Sequence, residues 1–180
     1  TGRGGRYHMR EYLLEFGQTP LALTMSTSSW VVPTMQSIHI ISIAIIFMSI
    51  LIVCLRVLGV AWGGVSVRQT LDRFAPWAWT ALVVLACTGI PLILAEPVRE
   101  LMAISFWIKM TLLVIGIIIA VRFINQVKRE PRFAEAGVVA DGTMRRNAVI
   151  TIAIWVVIIF MGRFIAYDPL LWGSLSPISS

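Results

Sequence analysis

Charge is scarce in this chain. Charged residues make up 13% of its 180 positions, against 58% hydrophobic. A soluble domain carries about 25% charged and about 45–50% apolar residues. So little charge excludes disorder and an ordinary water-soluble enzyme, because a domain of this length has no core large enough to hide that much apolar surface. Histidine and cysteine are rarer still, with two copies each: His8, His39, Cys54 and Cys87. The cysteines form no CxxC pair and both lie in apolar stretches. They read as small buried hydrophobes rather than as a disulfide or a metal site. Walker, dinucleotide-binding, HExxH and CxxCH patterns are all missing.

What is abundant is long apolar sequence. Four blocks stand out, from Ile38 to Leu55, Pro76 to Ala95, Leu101 to Val121, and Ala148 to about Ala166. At 1.5 Å per residue each is long enough for a hydrocarbon core about 30 Å thick. They lack the two-residue alternation of barrel strands and are about twice as long. The expectation is an all-α, integral membrane, antiparallel four-helix bundle over residues 36–166. A segment before it, residues 1–35, carries a short interfacial helix, and a tail follows at residues 167–180. Residues 1–8 are Gly- and Arg-rich, precede Met9 and read as potentially non-native. Arg10 to Phe16 suits a short amphipathic turn, broken by Gly17, Pro20 and the polar run Thr24–Ser29.

The net charge of +6 would suggest nucleic acid in a soluble protein. Here it reads as topology. The loops after the first and third blocks hold nine of the 15 cations against four acids; the other side holds six cations against five acids. The positive-inside rule then puts both termini outside, in the periplasm of a bacterial inner membrane. Its partners are the lipid bilayer and other membrane or periplasmic subunits, with no nucleic acid.

Polar groups within an apolar block need a reason. His39 shares a helical stripe with Ser42 and Ser49 and is read two ways: as a metal or haem ligand or hydrogen-bond donor to a cofactor, or as a helix-to-helix hydrogen bond. Lys109 snorkels outward or pairs with an acid or an anionic ligand. Arg163 sits in a last helical turn, with Asp168 as a local partner. Glu96, Arg99 and Glu100 form the short loop after the second block. Thr88 and Gly89 precede Pro91, which should kink the second helix, and they would let a backbone or flat cofactor approach closely. Topology brings His39, Glu96, Lys109 and Arg163 to one outer pocket, ringed by Trp30, Trp107 and Trp172.

A bis-histidine haem b needs two axial histidines, and only His39 lies in a block. A His/Met site, a five-coordinate haem or a haem shared between subunits stays open, and a quinone site fits the same residues. No Asp or Glu falls at mid-membrane depth, which argues against an ion-driven transporter. The expected function is a non-catalytic membrane subunit that anchors or completes a larger complex. The alternative is a redox, quinone-reactive or haem-binding subunit using His39 and Lys109, and a small-molecule or metal permease comes third.

The stretch Trp30 to Asn125 resembles a family of small, uncharacterised four-helix bacterial inner-membrane proteins. The resemblance rests on Pro33 with Gln36-Ser37-Ile38-His39, Leu55-Arg56-Val57-Leu58-Gly59, Pro76-Trp77-Ala78-Trp79, Thr88-Gly89, Glu96-Pro97, Phe106-Trp107-Ile108-Lys109 and Asn125. It implies the four-helix fold, draws attention to His39, Arg56, Thr88, Gly89, Glu96 and Lys109, and supplies no activity.

Overall fold

The computed structural model describes residues 2–138, 140–173 and 176, with side chains from His8 onward. The eight N-terminal positions singled out above therefore fall almost wholly outside the described side chains, as does most of the tail after Gly173. Among the described residues the chain is all α-helical, with two short 3-10 turns. The helices are α1 (Gly2–Gly17), α2 (Pro20–Thr27), α3 (Val31–Leu58), α4 (Val67–Ala95), α5 (Pro97–Leu101), α6 (Ile104–Arg129), α7 (Gly142–Phe164) and α8 (Asp168–Trp172).

Four of them, α3, α4, α6 and α7 with the segment after it, are long and apolar enough to cross a membrane. Even in α3, the best covered, 28% of the most apolar window is buried. Apolar side chains therefore face outward: Ile40 and Ile41 are each 58% exposed, Val83 63% and Val114 54%. Water would penalise that surface at about 25 cal/mol per Å², and lipid would not.

The helices run past the apolar blocks that mark them. α4 begins at Val67, nine residues before Pro76, and α6 continues to Arg129, eight residues beyond Val121. Leu101 belongs to the separate turn α5. α4 runs through Thr88, Gly89 and Pro91 without a break in its helical assignment.

One local expectation is sharpened. Gly17 does end α1 and Pro20 does open α2, where Thr19 caps the helix by accepting from the Ala22 N–H. The polar run that follows does end the helix, but only at its far side, where Ser28 is extended. Thr24, Thr27 and Ser28 donate their hydroxyls to the carbonyls four residues back, at 2.7, 2.6 and 2.6 Å. Back-bonding lets Thr24 and Thr27 stay inside helical geometry, so α2 reaches Thr27 before it stops.

Contacts divide the chain into two compact units. One comprises residues 1–41, 84–110 and 159–180; the other comprises 42–83 and 111–158. In the first, α1 packs on α5, with Gly17 against the Pro97 ring, and Ala103, Phe106 and Ile165 form a small apolar core. The second has the larger core, in which Val57, Val67, Val127, Phe133 and Met144 are almost wholly buried. Phe133 belongs to the 3-10 turn after α6 and fastens that loop to the core.

Arginines close the second unit. Gly59, at φ +75°, ends α3, where Gly59 N–H donates to Arg56 carbonyl and Val60 N–H to Leu55 carbonyl. Arg56, 2% exposed, donates from Nε to the Val65 carbonyl and ties down the following loop. Arg68 donates to the Val127 and Lys128 carbonyls at the C-terminus of α6, where the helix dipole favours a cation. A cavity of ≈ 90 Å³ in the same unit is lined mainly by apolar groups, among them Ile46, Leu71, Phe74, Leu82 and Trp155. Cys54 lines it and is buried, whereas Cys87 on α4 is exposed.

Candidate functional site

All six candidate residues, His39, Thr88, Gly89, Glu96, Lys109 and Arg163, fall in the first unit. His39 lies in the third turn of α3 and is half-buried; Thr88, in the last third of α4, is 6% exposed. The His39 Nδ1 and the Thr88 Oγ1 are 2.9 Å apart. Thr88 is also 2.9 Å from the Val84 carbonyl and 3.1 Å from that of Leu85. A hydroxyl has one proton. Directed to the backbone of its own helix, it leaves the Thr88 oxygen to accept from the His39 Nδ1–H. In the neutral ring that arrangement places the proton on Nδ1 and leaves Nε2 facing away from Thr88.

Gly89 serves the same contact. A Cβ at this position would lie 3.4 Å from the His39 Cε1. The room left by the glycine is thus taken by the imidazole edge. This is close helix approach, with the histidine ring standing where a flat cofactor was considered.

Lys109 belongs to the same neighbourhood. Its Nζ lies 5.2 Å from the Phe106 ring centroid, a cation–π distance. Its Cδ is 3.6 Å from where a Cβ of Gly162 would be. Its charge acts on both His39 and Glu100. Burial pushes the Glu100 carboxyl above the usual range, and Lys109 and then Arg99 pull it back.

The other two candidates are engaged elsewhere. Glu96 pairs with Arg99 at 2.5 Å on an exposed turn. Arg163 is exposed and stands over the Tyr167 ring, 5.9 Å from its centroid. It is not partnered by Asp168, as its position suggested. Asp168 is fully buried and accepts from the Ser105 N–H at 3.0 Å, the Ser105 hydroxyl at 2.8 Å and the Ser176 hydroxyl at 2.7 Å. Trp172 Nε1 donates to the Ser105 Oγ at 3.1 Å. Ser105 sits in the first turn of α6, whose unsatisfied N–H groups attract a carboxylate more strongly than an exposed guanidinium does.

This network is the main feature that sequence reasoning missed. The available signal was an acid followed by proline just beyond the last apolar block, and a serine opening the third. Of the aromatic ring, Trp107 donates to the Leu101 carbonyl at 2.9 Å, Trp172 joins the Asp168 network, and Trp30 is 68% exposed.

Among the described residues, no group of three or more His, Cys, Asp or Glu side chains is placed to hold a metal ion. None of the six candidates lines the apolar cavity. Comparison with curated proteins and with solved structures gives no match. Residues 21–168, which take in α3, α4, α6 and α7 and all six candidate residues, match DUF6644, a family of unknown function, and the chain belongs to that family.

Proposed function

We propose that this protein is a multi-pass subunit of a bacterial inner membrane that anchors or completes a larger membrane complex and performs no chemistry alone. In this reading α3, α4, α6 and α7 form an antiparallel bundle with both termini periplasmic, and the arginine-rich loops after α3 and α6 face the cytoplasm. The polar cluster then lies at the periplasmic end. The observation that carries the reading is how its groups are used: His39 on Thr88 and against Gly89, Glu96 on Arg99, Asp168 on Ser105 and Ser176. The His39–Thr88 and Asp168–Ser105 contacts fasten helix to helix, which suits a scaffold, while outward apolar side chains suit lipid and partner helices.

Extraction in a mild detergent tests this. The chain should co-purify in fixed ratio with other membrane proteins; isolation as a lone monodisperse species refutes the reading. Reporter fusions at the C-terminus and near Arg132 test orientation, and a cytoplasmic C-terminus would reverse it.

A second reading, a quinone-reactive subunit, is favoured by one observation. The His39 Nε2 is the ring nitrogen that Thr88 does not engage, and the ring lies within the electrostatic reach of Lys109. Nε2 can accept from a quinol hydroxyl, and the ammonium can donate to a quinone carbonyl. Haem fits less well, because the imidazole fills the space at Gly89 where a macrocycle would lie flat. A purified protein with no Soret band and no extractable quinone would dismiss both cofactors.

A further inference from the structure

Arg122, Asn125, Gln126 and Arg129 recur at steps of three, one and three along α6, which sets them on one face across two turns. They line an open recess of ≈ 400 Å³ together with Glu130. Arg122, Asn125 and Arg129 are exposed. Among the described residues, none of the four polar side chains has a hydrogen-bond or ion-pair partner in the protein, whereas Glu130, the one acid of the recess, is taken by Arg132. The recess therefore presents two free guanidiniums and two free amides, with its negative charge already engaged.

The same face changes character towards the middle of the helix. Val114, Ile118 and Val121 are 54%, 48% and 39% exposed; they are spaced by four and three, and Ile118 stands four residues before Arg122. One strip of α6 thus carries an outward apolar track ending in an unpartnered cationic recess. An acyl chain matches the first part and a phosphate the second, since paired guanidiniums bind phosphate oxygens with charge-assisted hydrogen bonds.

We propose that this strip binds an anionic phospholipid, its phosphodiester held by Arg122 and Arg129 with Asn125 and Gln126, and its chain along Val121, Ile118 and Val114. The inference rests on the membrane-spanning reading above, with this end of α6 at the cytoplasmic headgroups. A lipid is favoured over a free anion because the apolar track is continuous with the recess. Juxtamembrane arginines are worth about 1 kcal/mol each towards anionic lipid.

The test uses the full chain in detergent, with phosphatidylglycerol, phosphatidylcholine or inorganic phosphate added and thermal stability recorded. Phosphatidylglycerol should protect the wild type and phosphatidylcholine should not. Arg122→Gln/Arg129→Gln should weaken the apparent affinity for phosphatidylglycerol roughly 10- to 30-fold. Arg145→Gln/Arg146→Gln, which removes equal charge from exposed positions in the first two turns of α7, should leave it intact. Equal losses in both variants, no loss in the first, or equal protection by inorganic phosphate would overturn the proposal. An alkaline carbonate wash of membranes separates the two levels: release of the wild type refutes membrane insertion itself. Retention together with no preference for phosphatidylglycerol refutes only the lipid site.

Discussion

Ser105 holds Asp168 twice, through its backbone N–H at 3.0 Å and its hydroxyl at 2.8 Å, both to Oδ1, across 63 positions of sequence. The pair joins the start of α6 to the segment after α7. Asp168→Ala leaves buried donors unmatched and should lower stability by about 2–4 kcal/mol. Asp168→Asn keeps one acceptor oxygen and should cost less. Thermal unfolding in detergent ranks the two, and equal midpoints for Asp168→Ala and the wild type would remove the network from any role in stability.

His39 and Thr88 should behave as a coupled pair. Thr88→Val retains the shape but removes the acceptor, and His39→Ala removes the donor. Each should cost about 1 kcal/mol or more, with the double variant losing less than the sum by about 0.5–1.5 kcal/mol. Additive losses would mean that the 2.9 Å contact contributes nothing. Gly89→Val, which pushes bulk into the His39 ring, should destabilise more than Gly89→Ala.

Glu100 carries the pH dependence. Its folded-state pKa is raised, chiefly by burial. The folded state then holds the proton more tightly than the unfolded state, so this contribution is fully present below the ordinary glutamate value of about 4.3. It is lost as pH rises through the folded value. Glu100→Gln should raise the midpoint at neutral pH and flatten its change between acid and neutral conditions. A midpoint that falls at neutral pH would show that the attraction of Lys109 outweighs burial.

Phe133 is wholly buried although it sits in a loop. Phe133→Ala should cost about 3–5 kcal/mol, as in a helix-lined core. Limited proteolysis should then cut between α6 and α7 faster than in the wild type; an unchanged rate would show that the loop is held without it.

The long helices were legible because an apolar run of about 20 residues has few other uses. Their ends were less so. Val67 to Ala75 and Phe123 to Arg129 mix charge with apolar residues and carry no hydropathy signal of their own, yet they continue the helices. The start of the polar run at Thr24 does not itself mark the helix end, because hydroxyls serve turns and helices alike; the helix stops only at Ser28. The His39, Thr88 and Gly89 grouping was partly legible, since two of the three are adjacent and the third is the single histidine in an apolar block. The Asp168 network was not, because nothing local links residue 105 to residues 168 and 176.

The contrast between the two cysteines has a practical side. Cys87 points outward from α4, and Cys54 is enclosed beside the apolar cavity. The chain thereby carries two thiols of unequal reach. A membrane-permeant maleimide should modify Cys87 first, and a sulfonated, impermeant one should leave it untouched. Delayed alkylation of Cys54 would then time the opening of the helical packing without a single engineered residue.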